Sequence, residues 1–558
     1  MTNTKCIKIN NDTLERLNVQ FNKELKINEL QTYFPILSLF FEVYNDSKTN
    51  FVLNSNFLVS SLLEPINYIK TDSYIKYFFK ANILNQSNNE TFDKNIFIKI
   101  LPILNVSKYM MNEYNVTNNK KLPNIHSSLT SKKINNYNNS AYIDAFFSYL
   151  GSILTEKGKC PTFPLFFGTF TGIADEFKED ISEEFNSMKN TTWFNKNVNK
   201  HFKIHNIDID QPNHFGNELN IDHIEHINTS DIDLNDNDSL EDEHSETGDN
   251  DSLENEHSEN EHSETGDNDS LENEQSETGD NDSLENEQSE NAQSDDNDSL
   301  ENAQLDNDEN SYNSDNDSIK SNEHMTIDDM NIYKCETLSL DSNSNFSLNS
   351  CDTHDINYCC INDYPVQINC IEMLEYTLDN YIDKSNNNIN EIEWKSILFQ
   401  ISFGLSVAQK QYDFVHNDLH SSNIMFKETE MEYLYYNFKG TCFKIPTFGK
   451  IVKIIDFGRA TFSYKNRIFF SDVFKKNGDA EGQYSYPYLN NLNKCKIKPN
   501  KSFDLSRLAT TIIEHFEEDS NIYKLLKLWC TDKYGNFLNE LEDDFNLYRI
   551  IAKNVKSA

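Results

Sequence analysis

The stretch "FVHNDLHSSNIMF", residues 414–426, places two histidines, two asparagines and one aspartate inside an apolar frame. It directly follows residues 391–412, whose apolar spacing predicts a long amphipathic helix. Downstream, residues 449–462 predict a strand and a turn, with Asp456 at the end of the strand in "IIDFG". Mg²⁺ takes oxygen ligands and needs few of them from a protein. Asn423 and Asp456 would therefore suffice to hold one Mg²⁺ ion.

The same side chains meet the needs of phosphoryl transfer, which requires metal ligands, a positioned base and a cation on the phosphates. With Asn423 and Asp456 on the metal, the carboxylate of Asp418 remains to orient a hydroxyl group and accept its proton. The β-rich run "NIFIKILPIL", residues 95–104, offers Lys99 as the cation, because apolar neighbours hold it in a strand. These residues predict an enzyme that transfers a phosphoryl group with the help of Mg²⁺.

Together the motifs resemble the protein-kinase-like superfamily. "HNDLHSSN" is similar to the catalytic loop H-R-D-x-x-x-x-N, "IDFG" contains the D-F-G metal motif, and "FIK" is similar to V-A-I-K. The resemblance implies that Asp418 is the catalytic base, that Asn423 and Asp456 bind Mg²⁺, and that Lys99 binds the phosphates of ATP. It implies a serine/threonine protein kinase whose protein substrate the sequence leaves unknown.

Four further residues receive roles from the resemblance. Asp144, within the helical pattern of residues 140–154, stands in for the glutamate that pairs with the strand lysine. Glu372 lies near the hinge that faces the adenine. His416 is a structural residue of the catalytic loop, and Asp504 is the helix aspartate that braces this loop.

The predicted fold class is α+β, because strand patterns lie mainly before residue 375 and helix patterns mainly after it. The resemblance implies a bilobal kinase-like fold, with a small β-rich N-lobe and a larger helical C-lobe. We expect an N-terminal extension (1–50), the first part of the N-lobe (51–172), an insert (173–363), the last N-lobe strand with the hinge (364–375) and the C-lobe (376–558).

The acidity of the chain is concentrated in the insert. Residues 231–320 carry 34 Asp or Glu and one Lys, which leaves only −9 of the total charge of −42 for the rest. The repeat "DNDSLE" begins at residues 236, 249, 267, 280 and 296. Such a segment cannot bury enough apolar surface to fold, so we expect disorder. It is either an expanded repeat without a specific role or a segment that binds basic partners or is phosphorylated.

Composition also limits the partners and the compartment. Clustered Lys and Arg are missing, which disfavours nucleic-acid binding. The most apolar early run, residues 33–44, is too short to span a membrane. Ten scattered cysteines without a C-x-x-C pair fit a reducing compartment, so we expect a soluble intracellular protein. "CPTFPLFFGTFTGI" and "GDAEGQY" resemble kinases of large nucleocytoplasmic DNA viruses and the poxvirus virion kinase, which would place it in host cytoplasm or a virion.

The sequence departs from the kinase pattern at several positions. No glycine precedes Gly151, so the G-x-G-x-x-G loop is missing where we expect it, near residues 67–76. This departure keeps open a pseudokinase that recruits partners through its fold and its insert. Asn417 replaces the arginine of H-R-D, and His420 gives a pattern shared with small-molecule kinases of the aminoglycoside and choline type. A zinc site at His416 and His420 is disfavoured, because no third ligand accompanies them.

Overall fold

The structure is a computed structural model that describes residues 6–40, 50–66, 77–114, 121–125, 131–207, 356–385, 388–485, 497–540 and 544–556. The acidic repeats of residues 231–320 and the expected phosphate-loop segment 67–76 lie outside the described residues. No helix among the described residues is long and apolar enough to cross a membrane.

The first half of the described chain builds a strongly curled antiparallel sheet. Its strands and those beside it are β1 (Cys6–Lys8), β2 (Ile27–Gln31), β3 (Phe51–Leu53), β4 (Phe57–Pro65), β5 (Tyr77–Asn85), β6 (Thr91–Pro102), β7 (Phe166–Asp180), β8 (Lys203–Ile207) and β9 (Ile356–Glu372). The order across the sheet is β2-β7-β9-β6-β5-β4, with β8 added to β9, while β1 pairs with β3. The helices of this half are α1 (Asn11–Leu25), α2 (Leu37–Phe40), α3 (Val106–Met110), α4 (Ser140–Glu156), α5 (Ser182–Met188) and α6 (Thr192–Asn197).

Helix α4 lies at the centre of this half. It begins after Asn139, whose side chain accepts a hydrogen bond from the backbone N–H of Ala141 and so caps the helix. Most of its side chains are buried, and these include Asp144 and Ser148, which lie four positions apart on one face of the helix. The helix therefore holds Asp144 inside the protein.

The second half contains helices with short two-stranded sheets between them. The helices are α7 (Leu378–Lys384), α8 (Glu391–Tyr412), α9 (Phe503–Ile512), α10 (Asn521–Trp529) and α11 (Asp544–Asn554). The strands are β10 (Ile424–Glu428), β11 (Tyr433–Phe438), β12 (Thr441–Pro446), β13 (Lys450–Ile454), β14 (Thr461–Tyr464) and β15 (Arg467–Phe470). They pair antiparallel as β10 with β13, β11 with β12, and β14 with β15.

An aromatic cluster joins α4 to the loop that follows α8. The ring of Phe147 on α4 stacks on Phe414 with 4.0 Å between the centroids. Phe457 and Phe462 lie 4.9 and 5.1 Å from Phe147 by the same measure. Rings of this size contribute large buried areas to a core. The cluster therefore fixes the polar loop of residues 414–423 against the helix that carries Asp144.

The structure places several expected boundaries differently. Residues before 51 take part in the sheet, because β2 pairs with β7 and α1 buries Leu17 and Phe21 completely. The expected insert at 173–363 shares both ends with the sheet, since β7 continues to Asp180 and β9 begins at Ile356. Six strands follow residue 375, where the patterns mainly predicted helices. These strands have only four to six residues each, so the longer helix patterns beside them determined the predicted class of this region.

Candidate active site

The pairing of β10 with β13 brings Asn423 next to Asp456. Ile424 pairs with Ile454, and the backbone N–H of Ile455 donates to the carbonyl oxygen of Asn423 at 3.1 Å. Asn423 directly precedes β10 and Asp456 closely follows β13, so both stand at the same end of an antiparallel pair. The two predicted metal ligands, 33 positions apart in the chain, thus become neighbours through strand register.

Lys99 on β6 forms an ion pair with two carboxylates. Its Nζ lies 2.9 Å from Oδ1 of Asp144 and 3.0 Å from Oδ1 of Asp456. Burial alone would lower the pKa of Lys99, but the two carboxylates outweigh it and raise the pKa. The side chain thus stays charged at neutral pH. The structure therefore brings the predicted lysine, its predicted partner and the predicted metal ligand together.

Asp144 is held by more than Lys99. Its Oδ1 also accepts a hydrogen bond from the backbone N–H of Phe457 at 2.8 Å, and its Oδ2 accepts one from Nδ2 of Asn369 at 2.8 Å. Asn369 on β9 pairs with Lys99 in the sheet, and it is fully buried. The aspartate is one methylene shorter than glutamate, yet these donors hold it within reach of Lys99. Sequence reasoning missed Asn369, whose only signal was a polar residue inside an apolar strand.

Asp456 has a lowered pKa and an uncommon backbone conformation. The nearby Lys99 ammonium lowers its pKa to about 2, although burial acts in the opposite direction. Its backbone has φ of 64°, a left-handed conformation that aspartate tolerates better than most residues. Uncommon backbone conformations of this kind are concentrated at functional sites. The carboxylate is therefore ionised and fixed in direction at neutral pH.

Asp418 contacts both the predicted metal ligand Asn423 and a residue of α11. Nδ2 of Asn423 donates to the backbone oxygen of Asp418 at 2.9 Å and lies 3.0 Å from Nε2 of His420. Because the amide nitrogen is used in these contacts, the amide oxygen of Asn423 is the atom that a cation would bind. Oδ1 of Asp418 accepts a hydrogen bond from the hydroxyl of Tyr548 at 2.6 Å and lies 3.5 Å from Nη1 of Arg459.

Asp504 on α9 supports the backbone of the loop of residues 414–423. Its two carboxylate oxygens accept hydrogen bonds from the backbone N–H groups of His416 and Asn417, each at 2.9 Å. Burial raises the pKa of Asp504 to about 7, although these two donors act against the rise. The Nε2 atom of His416 contacts the backbone oxygen of Ile455 at 2.8 Å. Both residues thus make hydrogen bonds that link the loop to neighbouring elements.

Asn417, which stands where the kinase pattern has arginine, makes buried hydrogen bonds. It is fully buried, and its φ of 68° lies in the left-handed region that asparagine adopts readily. Its amide nitrogen donates to the backbone oxygens of Val415 and Arg459, while its oxygen accepts from the hydroxyl of Tyr484 at 2.5 Å. A buried amide therefore joins the loop to the residues after Asp456.

Glu372 is the last residue of β9, where the sequence predicts the hinge, and its side chain forms an ion pair with a buried lysine. Its Oε2 lies 3.0 Å from Nζ of Lys453 and also accepts a hydrogen bond from the backbone N–H of Leu165 at 3.2 Å. Burial would raise the pKa of Glu372, but Lys453 and the more distant Lys94 and Lys427 lower it. These contacts do not include Lys99 or Asp456. Sequence reasoning missed Lys453.

Comparison with known proteins supports the resemblance to kinases. No protein-family model matches the chain. A segment is 35% identical over 94 residues to the serine/threonine-protein kinase haspin of Bos taurus, covering 17% of this chain and 12% of that protein. Another is 34% identical over 85 residues to the haspin homolog of Arabidopsis thaliana, covering 15% and 14%.

A viral relative is also similar. Protein R301 of Acanthamoeba polyphaga mimivirus, named among the serine/threonine-protein kinases, is 30% identical over 198 residues, which cover 29% of this chain and 49% of that protein. The chain thus spans at most about half the length of these curated relatives. The comparisons confirm similarity to serine/threonine-protein kinases. Of these three relatives, the mimivirus protein is the one that supports the predicted viral origin, and it matches over part of its length.

Proposed function

We propose that the chain is an ATP- and Mg²⁺-dependent serine/threonine protein kinase. The observation that carries the proposal is the ion-paired group of Lys99, Asp144 and Asp456, which lies beside a loop that presents Asp418 and Asn423. A cation for the phosphates, ligands for a metal and a base are thus present together. The similarity to proteins named as serine/threonine-protein kinases supports the choice of acceptor.

The residues present fit a magnesium ion. The carboxylate of Asp456 and the amide oxygen of Asn423 are hard oxygen donors, which Mg²⁺ prefers over nitrogen or sulfur. The pKa of Asp456, about 2, ensures that this ligand is charged. A bound Mg²⁺ would neutralise charge on the phosphates of ATP. This donor set leaves room for the phosphate oxygens and waters that Mg²⁺ usually retains.

Each residue has a role that its contacts support. Lys99 stays protonated and stabilises negative charge on the nucleotide phosphates, while Asp144 keeps its ammonium group in place. Asp418 accepts a hydrogen bond from the acceptor hydroxyl and orients that oxygen toward the γ-phosphate. Asp504 holds the backbone of the loop, so Asp418 is presented in a fixed direction. Catalysis is then mainly positioning and electrostatic stabilisation.

The proposed layout is bilobal. The curled sheet with α4 forms the N-lobe, residues 376–558 form the C-lobe, and ATP binds beside the ion pair of Lys99 and Asp456. Glu372, at the end of β9, contributes to the hinge through its place in the backbone, because its carboxylate is engaged by Lys453. The acidic repeats are an insert of the N-lobe that is a target for phosphorylation or for basic partners.

A transfer assay on the full chain tests the activity. Radiolabelled ATP with Mg²⁺ and casein as a general protein acceptor should give label on protein, and Asp418→Asn should reduce the rate about 10²–10⁴-fold, as expected for loss of a general base. Asp456→Asn removes a proposed ligand of the metal, so it should raise the Mg²⁺ concentration needed for the half-maximal rate. Asp413→Asn is the matched control, because Asp413 is an exposed aspartate whose ion pair is with Lys501.

The rival functions give different results. If the wild type incorporates no more label than Asp418→Asn while still binding ATP or partners, the chain is a pseudokinase and the proposal is wrong. If label passes to aminoglycosides or choline but never to casein or to the chain itself, it is a small-molecule kinase.

A further inference from the structure

The hydroxyl of Tyr548 on α11 lies where a phosphate acceptor would bind. It donates a hydrogen bond to Oδ1 of Asp418 at 2.6 Å, within the range at which a general base takes a proton. Burial, followed by the charge of Asp418, raises the pKa of Tyr548, so the phenol keeps its proton and is the donor. In phosphoryl transfer the loop aspartate accepts the hydrogen bond of the attacking hydroxyl in the same way.

The ring of Tyr548 is held firmly at this position. The guanidinium carbons of Arg459 and Arg507 lie 5.5 and 5.0 Å from its centroid, within the range of cation–π contacts. The ring of Phe503 lies 6.0 Å away. On the same helix, Leu547 is buried in the core. The contact with Asp418 is thus part of a packed arrangement that involves α9, α11 and the residues after Asp456.

We propose that Tyr548 is an intramolecular phosphate acceptor of this chain, a proposal that rests on the kinase activity proposed above. The phenolic oxygen of Tyr548 forms a bond to the γ-phosphorus of ATP, and the bond from that phosphorus to the β,γ-bridging oxygen breaks. The phenolic proton passes to the carboxylate of Asp418. ADP leaves, and the products are phosphotyrosine at position 548 and ADP.

The product would leave the position that the phenol occupies. A phosphate on Tyr548 carries close to two negative charges at neutral pH and is repelled by the carboxylate of Asp418. Arg459 and Arg507, already beside the ring, offer guanidinium groups that pair well with phosphate. The modification therefore exchanges a contact with the base for contacts with arginine, and it frees Asp418 for the hydroxyl of a protein substrate.

The test is phosphate mapping on the full chain. Phosphatase-treated protein is incubated with ATP and Mg²⁺, and modified peptides are identified by mass spectrometry over time at two protein concentrations about tenfold apart. We expect phosphate on Tyr548 with a half-time that does not change with concentration, because the reaction is intramolecular. Asp418→Asn should remove it. Tyr534→Phe is the control, because Tyr534 is a tyrosine with 68% exposure.

Tyr548→Phe provides a second measurement. It keeps the ring and its packing on Phe503 but removes the acceptor oxygen, so casein should be phosphorylated without the initial lag expected for the wild type. If casein is labelled while Tyr548 stays unmodified, or if modification speeds up in proportion to protein concentration, the proposal is wrong and the kinase activity stands. If neither casein nor the chain is labelled, the proposed kinase activity is wrong, and the proposal for Tyr548, which depends on it, is wrong as well.

Discussion

Exchanging Asp144 for asparagine tests how the lysine partner is held. In the structure Oδ1 of Asp144 accepts from Lys99 and from the backbone N–H of Phe457, while Oδ2 accepts from Asn369. Asparagine has only one acceptor oxygen. If that oxygen stays on the side of Lys99 and Phe457, the new amide nitrogen faces the amide nitrogen of Asn369. Asn369 resists a flip, because its own oxygen accepts the hydroxyl of Thr169 at 2.6 Å.

The magnitude follows from what is lost. Breaking a buried ion pair by removing one partner costs about 3–5 kcal/mol, and a buried donor left without an acceptor costs about 1–3 kcal/mol. Lys99 is 20% exposed and retains Asp456, so the charge loss is partly compensated. We therefore expect Asp144→Asn to lower the free energy of unfolding by about 2–4 kcal/mol, between these two ranges.

A double exchange separates this explanation from general damage. Asn369→Asp supplies carboxylate oxygens opposite the new amide, so Asp144→Asn with Asn369→Asp restores a donor facing an acceptor. The double variant should be more stable than the sum of the single effects by about 0.5–3 kcal/mol, the range of coupling between contacting residues. Urea denaturation followed by tryptophan fluorescence measures all variants, and Asp93→Asn serves as a control from an exposed ion pair.

Two results would refute the reasoning. If the unfolding free energy of Asp144→Asn stays within about 0.5 kcal/mol of the wild-type value, as surface substitutions do, the three hydrogen bonds of Asp144 do not stabilise the fold. If the double variant equals the sum of the single variants, Asn369 does not interact with Asp144.

Three further predictions concern stability. Burial raises the pKa of Asp504 from 3.8 to about 7, so the folded state binds the proton of this carboxyl group more tightly than the unfolded state does. The protonated group therefore contributes its full stabilisation of the fold below about pH 4. About 4 kcal/mol of that stabilisation is lost as the pH rises through about 7. The side chain of Asp504→Asn cannot ionise, so urea denaturation at about pH 5 and about pH 8 should show a smaller loss of unfolding free energy in this variant than in the wild type. An equal loss in both proteins would contradict the assignment. Lys453→Met should cost about 3–5 kcal/mol because it strands the buried Glu372, and adding Glu372→Leu should recover part of this in the same assay; no recovery would argue against the pair. Gly404→Ala places a Cβ 2.6 Å from the Cβ of Thr162, and this overpacking of about 1–3 kcal/mol should outweigh the gain of about 1 kcal/mol in helix propensity; a higher melting temperature would show that the core yields.

The sequence located the polar residues that the structure brings together. Lys99, Asp144 and Asp456 were identified from their order and from the elements that carry them, and both carboxylates lie within 3.0 Å of the Lys99 ammonium. Helices α4 and α8 begin and end close to their predicted positions, because both carry long apolar patterns after asparagine caps. Local patterns suffice for such residues, since helix boundaries and motif spacing are properties of neighbouring positions.

The short strands were less predictable. In β11, Leu434 and Tyr436 pack inward while Tyr435 is exposed, so the alternation is real but hidden by aromatic residues on both faces. Periodicity separates the faces of a strand only when their polarity differs.

The sequence by itself indicated the type of chemistry that we propose, because residue types suited to binding a metal and accepting a proton stand at recognisable spacings around positions 418 and 456. Tertiary structure alone decided which other side chains form hydrogen bonds with these residues. Asn369 reaches Asp144 across 225 positions, and Tyr548 reaches Asp418 across 130. Contacts over such distances depend on strand register and helix docking, which the packing of the whole core sets and no local pattern records.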